Sequence, residues 1–307
     1  MLVEDELATV QPDRDTGVAV GVFDGVHLGH KYLLGRLGET AAARGLLSVV
    51  VTFRQHPRSI LSPPTKITYL TSLRERVRLL KELGIDHVAT LSFTPELSHL
   101  RAHEFVDLLV RRLRMRHLVI GPDFALGRGR EGDAHRLSAT GEEVGFSVEV
   151  VQPLVSQGDV VSSTAIRVAL LQGDMDKVSR LLGRPFALIG EVVRGDERGR
   201  TLGFPTANLV PDVEQAIPPD GVYAARAFVK GGSFVAVTNI GVRPTFGGGK
   251  RLLEVHLLDF QDGELYGNEL RVEVLGRLRG EVRFTSVDEL KAQMSRDVEQ
   301  TRALLVP

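Results

Sequence analysis

Gly21-Val-Phe-Asp-Gly-Val-His27-Leu-Gly29-His30 follows a short apolar run, Val18-Ala19-Val20, and precedes a segment carrying Leu33, Leu34, Leu37 and Ala41. That order predicts a strand, a tight turn and the start of a helix. A helix start offers unpaired backbone N–H groups and the positive end of the macrodipole, an arrangement that suits phosphate. His27 and His30 add side-chain donors, and Gly29 leaves no side chain between a nucleotide and the backbone. The plainer alternative is a strand–helix turn with two exposed histidines. The glycines and Asp24 in that context favour a nucleotide site.

Outward from this turn, residues 17–53 read as a βαβ unit. A strand near 18–23 leads to a helix over about 29–44, closed by Gly45 at a C′ position. The next strand, Leu46–Phe53, is nearly all apolar, as expected when both sheet faces are covered. It ends in Arg54-Gln55-His56-Pro57, at the strand edge where open parallel sheets hold ligands. Ser72 to Glu75 reads as a capping box opening a helix with Leu73, Val77 and Leu80 on one face, ended by Gly84. A strand at His87–Phe93, a helix with Phe105, Leu108, Leu109 and Leu113, and a strand at His117–Gly121 follow. The alternation predicts a doubly wound, Rossmann-like α/β layer structure.

Beyond that strand, the glycine-rich stretch from Gly121 to Asp133, with Asp123, Phe124 and Gly127, reads as a long, mobile loop placed to touch a ligand. Residues 134–145 form a helix segment interrupted by Gly141, and Phe146–Val151 is the next strand. Val161-Ser162-Ser163-Thr164-Ala165-Ile166-Arg167 opens a short helix. A plain N-cap accounts for one hydroxyl, whereas three followed by an arginine are what a pyrophosphate needs. A helix carrying Val178, Leu181 and Leu182 then runs into Gly183.

From Phe186 onward the texture changes to short apolar runs, 187–193, 222–230, 234–240, 252–260 and 270–278, separated by glycine and proline turns. This spacing predicts an antiparallel barrel or sandwich. Ser286 to Glu289 caps a last helix with Leu290, Met294, Val298 and Leu305 on one side. The domain boundary is placed near residue 184, giving 1–184 and 185–307. Within the second part, Arg194–Asn208 is glycine-rich and basic, so its backbone could wrap phosphates, although it lacks the ending of a P-loop. Thr206 and Asn208 alternate along a strand, so both could face one Mg²⁺, an ion that prefers hard oxygen ligands. Glu254 interrupts the apolar strand Leu252–Leu258; such a carboxylate is either paired, useful or turned to solvent.

Composition narrows the classes. The 307 residues are 43% hydrophobic and 25% charged, with a formal net charge of −1. That balance gives no basic field for holding a polyanion, so nucleic acid is not an expected partner. With no cysteine, thiolate metal sites, disulfides and a cysteine nucleophile are excluded. The acidic start carries no secretory pattern, and no apolar run approaches the roughly 18 residues needed to span a bilayer. The cytoplasm is the expected compartment, with no membrane partner.

Taken together, these residues make the chain resemble the bacterial bifunctional riboflavin kinase/FAD synthetase family over essentially its whole length. The family's Gly-x-Phe-Asp-Gly-x-His-x-Gly-His motif matches Gly21–His30, and its Ile-Ser-Ser-Thr-x-Ile-Arg motif matches Val161–Arg167. Its Pro-Thr-Ala-Asn stands intact at 205–208, and its Glu-x-His-Leu-Leu-Asp strand matches Glu254. The resemblance implies an N-terminal nucleotidyltransferase domain that turns FMN and ATP into FAD and pyrophosphate. It implies a C-terminal β-barrel kinase domain, ending in a helix, that turns riboflavin and ATP into FMN. Implied nucleotide contacts are Gly21, Phe23, Asp24, Gly25, Gly29, Ser162, Ser163 and Thr164 in the first half, with His27, His30 and Arg167 catalytic. In the second half they are Gly195, Gly199, Arg200, Gly203 and Pro205, with Thr206 and Asn208 on Mg²⁺–ATP and Glu254 as base. Phe53, His56, Pro57, Asp123, Phe124 and Gly127 would lie near the flavin. Val22, Arg54-Gln55 and Leu126 depart from the family's usual asparagine, acidic-proline pair and aromatic. A kinase with weakened adenylylation, and a flavin- or nucleotide-binding protein without turnover, are the competing readings.

Overall fold

The computed structural model describes residues 2–62, 67–194, 204, 206–212, 214–242, 251–260 and 265–305. The chain divides into two compact units, Met1–Ser163 and Thr164–Pro307. Sequence texture changes at 184 instead, and the two divisions differ in where the helices at 163–182 are counted.

In the first unit, α1 (Leu2–Leu7), β1 (Thr16–Val20), α2 (Leu28–Arg44), β2 (Leu47–Phe53), α3 (Pro57–Leu61) and α4 (Leu73–Glu82) come first. β3 (His87–Leu91), α5 (Pro95–His99), α6 (Ala102–Leu113) and β4 (Met115–Ile120) follow. The short strands β5 (Ala125–Leu126) and β6 (Gly132–Asp133) lead to α7 (Ala134–Val144), β7 (Ser147–Val150), β8 (Val155–Ser156) and β9 (Asp159–Val160). The main sheet is parallel and five-stranded, in the order β3-β2-β1-β4-β7. Every residue of β1 and β2 is buried, because helices cover both faces. Alternate residues feed two cores: Val18, Val20, Val49 and Val51 go to one, Ala19 and Val50 to the other. The winding runs outward from β1 through β2 to β3, then returns to the other side of β1 with β4. The connections leaving β1 and β4 therefore part company at their C-terminal ends, where a crevice for a ligand arises. The turn at 21–30 leaves β1 there.

Several local readings change. The stretch 121–133 is a small hairpin, β5 against β6, rather than an open loop. Gly127 is needed there: its φ is 78°, and a Cβ would come within 2.5 Å of the Ala102 nitrogen. Gly141 does not interrupt α7; a Cβ would sit 2.4 Å from the Phe146 carbonyl oxygen, so the glycine lets the chain fold back onto the helix. On α4 the buried face passes through Glu75, Arg76, Leu79 and Leu80, while Leu73 and Val77 are half-buried. The acidic N-terminus forms α1, burying Val3 and Leu7 while Glu6 accepts the Ser92 N–H and hydroxyl, both at 2.7 Å.

In the second unit α8 (Ser163–Gln172), whose first residue closes the first unit, and α9 (Met175–Leu182) precede a closed barrel. Its order is β10-β11-β14-β13-β12-β15, antiparallel throughout, which decides barrel over sandwich. These strands are β10 (Phe186–Val193), β11 (Ala207–Pro211), β12 (Gly221–Val229), β13 (Gly232–Val242), β14 (Arg251–Leu257) and β15 (Glu269–Arg279). Phe186, Leu188, Leu209, Tyr223, Ile240, Leu253, Val255 and Val272 are all buried at 1% exposure or less and form the interior. The final helix, α10 (Val287–Leu305), lies against β12, β13 and β15. Its most buried residues are Asp297 and Thr301 rather than the predicted apolar stripe; Leu290, Met294 and Val298 are half-buried. Arg279 forks onto Asp297 at 2.8–3.1 Å, which satisfies the buried carboxylate.

Candidate functional site

The turn after β1 is held in a strained conformation from several sides. Phe23 and Val26 have positive φ, 50° and 40°, unusual for an aromatic and more so for a β-branched residue. Such backbone persists only where its surroundings over-determine it. Here the Gly21 N–H donates to the Val51 carbonyl at 3.0 Å, and Thr52 Oγ1 donates to the Val22 carbonyl at 2.9 Å. The Asp24 carboxylate, 2% exposed, accepts the Leu70 and Thr71 N–H groups at 3.0–3.1 Å and the Thr71 hydroxyl at 3.3 Å. Thr71 Oγ1 in turn accepts the Gly25 N–H at 3.1 Å. Asp24 thus anchors the turn through its carboxylate.

His27 caps α2, its Nδ1 accepting the His30 N–H at 3.2 Å. The two imidazoles stack with centroids 3.5 Å apart, and Phe23 meets His30 edge-on at 5.2 Å. His30 Nδ1 is buried without a hydrogen-bond partner among the described residues. Burial holds this imidazole well below its ordinary range, and the nearby His27 and Arg76 charges push the same way. His30 is therefore a neutral group at pH 7.

The segment ahead of α8 forms a second wall of this turn. A Cβ on Gly29 would stand 3.0 Å from the Val161 carbonyl oxygen, so glycine lets the two backbones touch. Ser163 Oγ donates to the Asp24 carbonyl at 2.9 Å. Ser162 is half-buried beside it in sequence. Thr164 is exposed and Arg167 half-buried, one turn apart on α8 in the second unit.

At the end of β2, Phe53 is buried and meets Phe93 edge-on at 5.5 Å. His56 caps α3 through Nδ1, which accepts the Arg58 N–H at 3.1 Å, and Pro57 fills the first helical position. Tyr69 OH accepts the His56 N–H at 2.7 Å. Arg54 pairs with Glu6 at 3.5 Å, and Gln55 accepts the Phe93 N–H at 3.2 Å. The unusual pair before His56-Pro57 is thus tied to α1 and to the chain after β3. In the β5–β6 hairpin, Asp123 is exposed and its carbonyl accepts Arg130 at 2.7 Å; Phe124 is half-buried against the core. Leu126 is buried in that core, and Val22 packs its side chain on it.

In the barrel, register places Glu254 directly opposite Asn208 on one side and Asn239 on the other. The three share one face, opposite to the interior-facing Leu253 and Val255. Glu254 is half-buried, and Phe204 meets the neighbouring His256 ring edge-on at 5.4 Å. Asn208 is 5% exposed, and its Oδ1 is buried with no partner among the described residues. A buried oxygen acceptor left open in this way fits a hard cation such as Mg²⁺. Thr206, half-buried, precedes β11. No cluster of three or more His, Asp or Glu residues suited to a metal occurs among the described residues. Gly195, Gly199, Arg200, Gly203 and Pro205 lie outside the described residues.

Sequence reading missed Arg76, Tyr69 and Thr71, which hold the turn from α4 and the chain before it. A signal existed for Arg76: it stands three and four residues before the apolar Leu79 and Leu80, on the face a helix buries.

The family model for FAD synthetase matches residues 9–165, and that for riboflavin kinase matches 182–305. A bifunctional riboflavin kinase/FMN adenylyltransferase of Escherichia coli K12 is 43% identical over 93% of this chain and 91% of its own. The Pseudomonas fluorescens protein of that name is 43% identical over 98% and 97%. A crystal structure described as a macrolide-efflux protein of Streptococcus pneumoniae superimposes with a TM-score of 0.89, at 32% identity over 96% of both chains. Among the described residues no helix of this chain is long and apolar enough to cross a membrane.

Proposed function

The chain belongs to the bifunctional riboflavin kinase/FMN adenylyltransferase family, and from that premise we propose how its residues divide the two reactions. It phosphorylates riboflavin to FMN in its C-terminal part and adenylylates FMN to FAD in its N-terminal part. We assign adenylylation to 1–184 and phosphorylation to 185–307, so that Thr164 and Arg167 on α8 accompany the first activity.

The two attacking groups differ in charge. In adenylylation an oxygen of the FMN phosphate attacks the α-phosphorus of ATP and pyrophosphate leaves. That oxygen is already anionic and needs no base, so the site's work is positioning and neutralising charge. The observation that carries this assignment is the turn itself, with His27 capping α2, the neutral His30 stacked on it and the backbone N–H groups at the start of α2. Ser163 bound to Asp24 adds the second wall. In phosphorylation the attacking group is riboflavin's neutral ribityl hydroxyl. Glu254 takes its proton as the oxygen attacks the γ-phosphorus and ADP leaves. Asn208 and Thr206 would hold Mg²⁺, which supplies electrostatic stabilisation of the transferred phosphoryl group when bound.

Phe53, His56, Pro57 and the 123–127 hairpin form the proposed flavin side. The family departures support full adenylylation rather than its loss. Val22 and Leu126 face the core, and Arg54 and Gln55 have structural partners, so none replaces a ligand contact with a gap. We place the enzyme in the cytoplasm with its small-molecule substrates ATP, riboflavin and FMN. Incubation with riboflavin, ATP and Mg²⁺, followed by chromatographic separation of the flavins, tests the reading. FAD as end product is expected; FMN accumulating without FAD would mean that adenylylation is lost.

A further inference from the structure

Arg76 is among the largest fully buried side chains, at 1% exposure, on a helix that carries none of the residues assigned above. Its Nη1 donates to the Val22 carbonyl at 2.9 Å and to the Phe53 carbonyl at 2.8 Å, with Thr52 Oγ1 at 3.4 Å. Val22 lies inside the nucleotide turn, and Phe53 is the last residue before the flavin-side loop. One nitrogen therefore closes the C-terminal ends of β1 and β2 together. The guanidinium carbon lies 5.6 Å from the centre of the Tyr69 ring, whose hydroxyl accepts the His56 N–H. Between these points, Leu70 and Thr71 bind Asp24. Residues 69–76 thus grip the flavin-side loop at one end and the nucleotide turn at the other.

A simple structural staple would satisfy its polar atoms. Arg76 does not: its Nε is buried with no partner among the described residues. The nearby buried Asp24 carboxylate, itself held by backbone N–H groups and a hydroxyl, steadies the cation through space. A guanidinium stays charged in protein surroundings, so a cation with an unused donor sits beneath the two loops assigned to ATP and flavin. The hydrogen bonds shared through one nitrogen make displacement of either loop felt by the other.

We propose that Arg76 is a positioning residue for adenylyl transfer which couples the binding of FMN to that of ATP. This rests on the assignment of the turn at 21–30 to ATP and of the loop after β2 to flavin. The coupling is carried by the forked bond to Val22 and Phe53, with Tyr69 relaying to His56.

Initial rates of FAD formation over a grid of FMN and ATP concentrations measure it, as the factor by which saturating one substrate lowers the KM of the other. FAD formation reports only the N-terminal reaction, and riboflavin phosphorylation by the same chain controls for protein integrity. The wild-type factor is expected to be about fivefold or more, within the usual range for coupled sites. Arg76→Met should bring it to about 1, and Arg76→Lys, which keeps the charge on a shorter side chain, should restore part of it. Tyr69→Phe, a mild change that leaves the guanidinium in place, should lower the factor without lowering kcat to the same extent. A wild-type factor of 1, or an unchanged factor in both Tyr69→Phe and Arg76→Lys, overturns the proposal, even if Arg76→Met fails to fold. Failure of the underlying site assignment looks different: His30→Ala would then leave FAD formation untouched.

Discussion

Two carboxylates, Asp24 and Glu254, stand in the motifs of the two halves, and we propose that the protein uses them in opposite ways. Asp24 is 2% exposed and engaged by two backbone N–H groups and a hydroxyl, so it shapes a turn. Glu254 is half-buried on one face of the barrel wall, between Asn208 and Asn239. The difference follows the substrates. An anionic phosphate needs donors around it and no base, whereas a neutral hydroxyl needs a proton acceptor. On the proposed assignment, one chain carries a donor-rich site in a parallel α/β layer and a carboxylate site on an antiparallel barrel.

The sharpest way to break this comparison is to remove the proposed base. Glu254→Gln should lower FMN formation by about 10²–10⁴-fold, the usual worth of a positioned general base. Conversion of supplied FMN to FAD should remain near wild type. His30→Ala should do the reverse, lowering FAD formation by about 10²-fold if it resembles loss of one transition-state donor. Asn208→Ala should raise the Mg²⁺ concentration giving half-maximal phosphorylation, measured by metal titration of FMN formation, and leave that of adenylylation unchanged. An equal shift in both reactions would rule out Asn208 as the proposed Mg²⁺ ligand of the barrel.

Stability sharpens the same contrast, since the first unit carries the buried imidazoles. His30 and His117 are both held below their ordinary range, chiefly by burial. In the unfolded chain they take up protons near pH 6.5, while the folded protein does not, so the unfolded state binds more protons as pH falls. Stability is therefore full above pH 6.5 and declines below it, by about 1.4 kcal/mol per pH unit for each such group until its folded value is reached. Urea unfolding of the first unit at pH 7.5 and pH 5.5 should show this loss, and His117→Gln should reduce the difference. The loss being identical in both proteins would remove His117 from the account. Gly141→Ala should cost the first unit about 1–3 kcal/mol by forcing a methyl against the Phe146 carbonyl.

Much of this was legible in the residues. The strand–turn–helix at 16–44, the β2 run and the capped helices carried strong periodicity or capping signals, and the structure places each within a few residues of the expected bounds. The barrel strands were legible as short apolar runs, but their closure into a barrel was not, because pairing between distant strands leaves no local mark. Gly141 was misread for a similar reason: a glycine inside a helix signals a break locally, while its actual cause is a backbone that approaches from outside the helix. Arg76 escaped because a cation is read as a surface residue by default, although its spacing to Leu79 and Leu80 pointed inward. In the candidate sites, the motifs delivered the residue types, but not that the histidines stack or that Asp24 turns its carboxylate to residues 70–71.

The central claim is that each half has its own chemistry, and one measurement tests it directly. Glu254→Gln and His30→Ala proteins are each given riboflavin with ATP and Mg²⁺, and separately FMN with ATP and Mg²⁺, and the flavins are separated chromatographically. A crossed pattern is predicted: Glu254→Gln makes FAD from FMN but no FMN from riboflavin, and His30→Ala makes FMN from riboflavin but little FAD from either. If each substitution lowered both reactions by the same factor, the assignment of two separate centres would be contradicted.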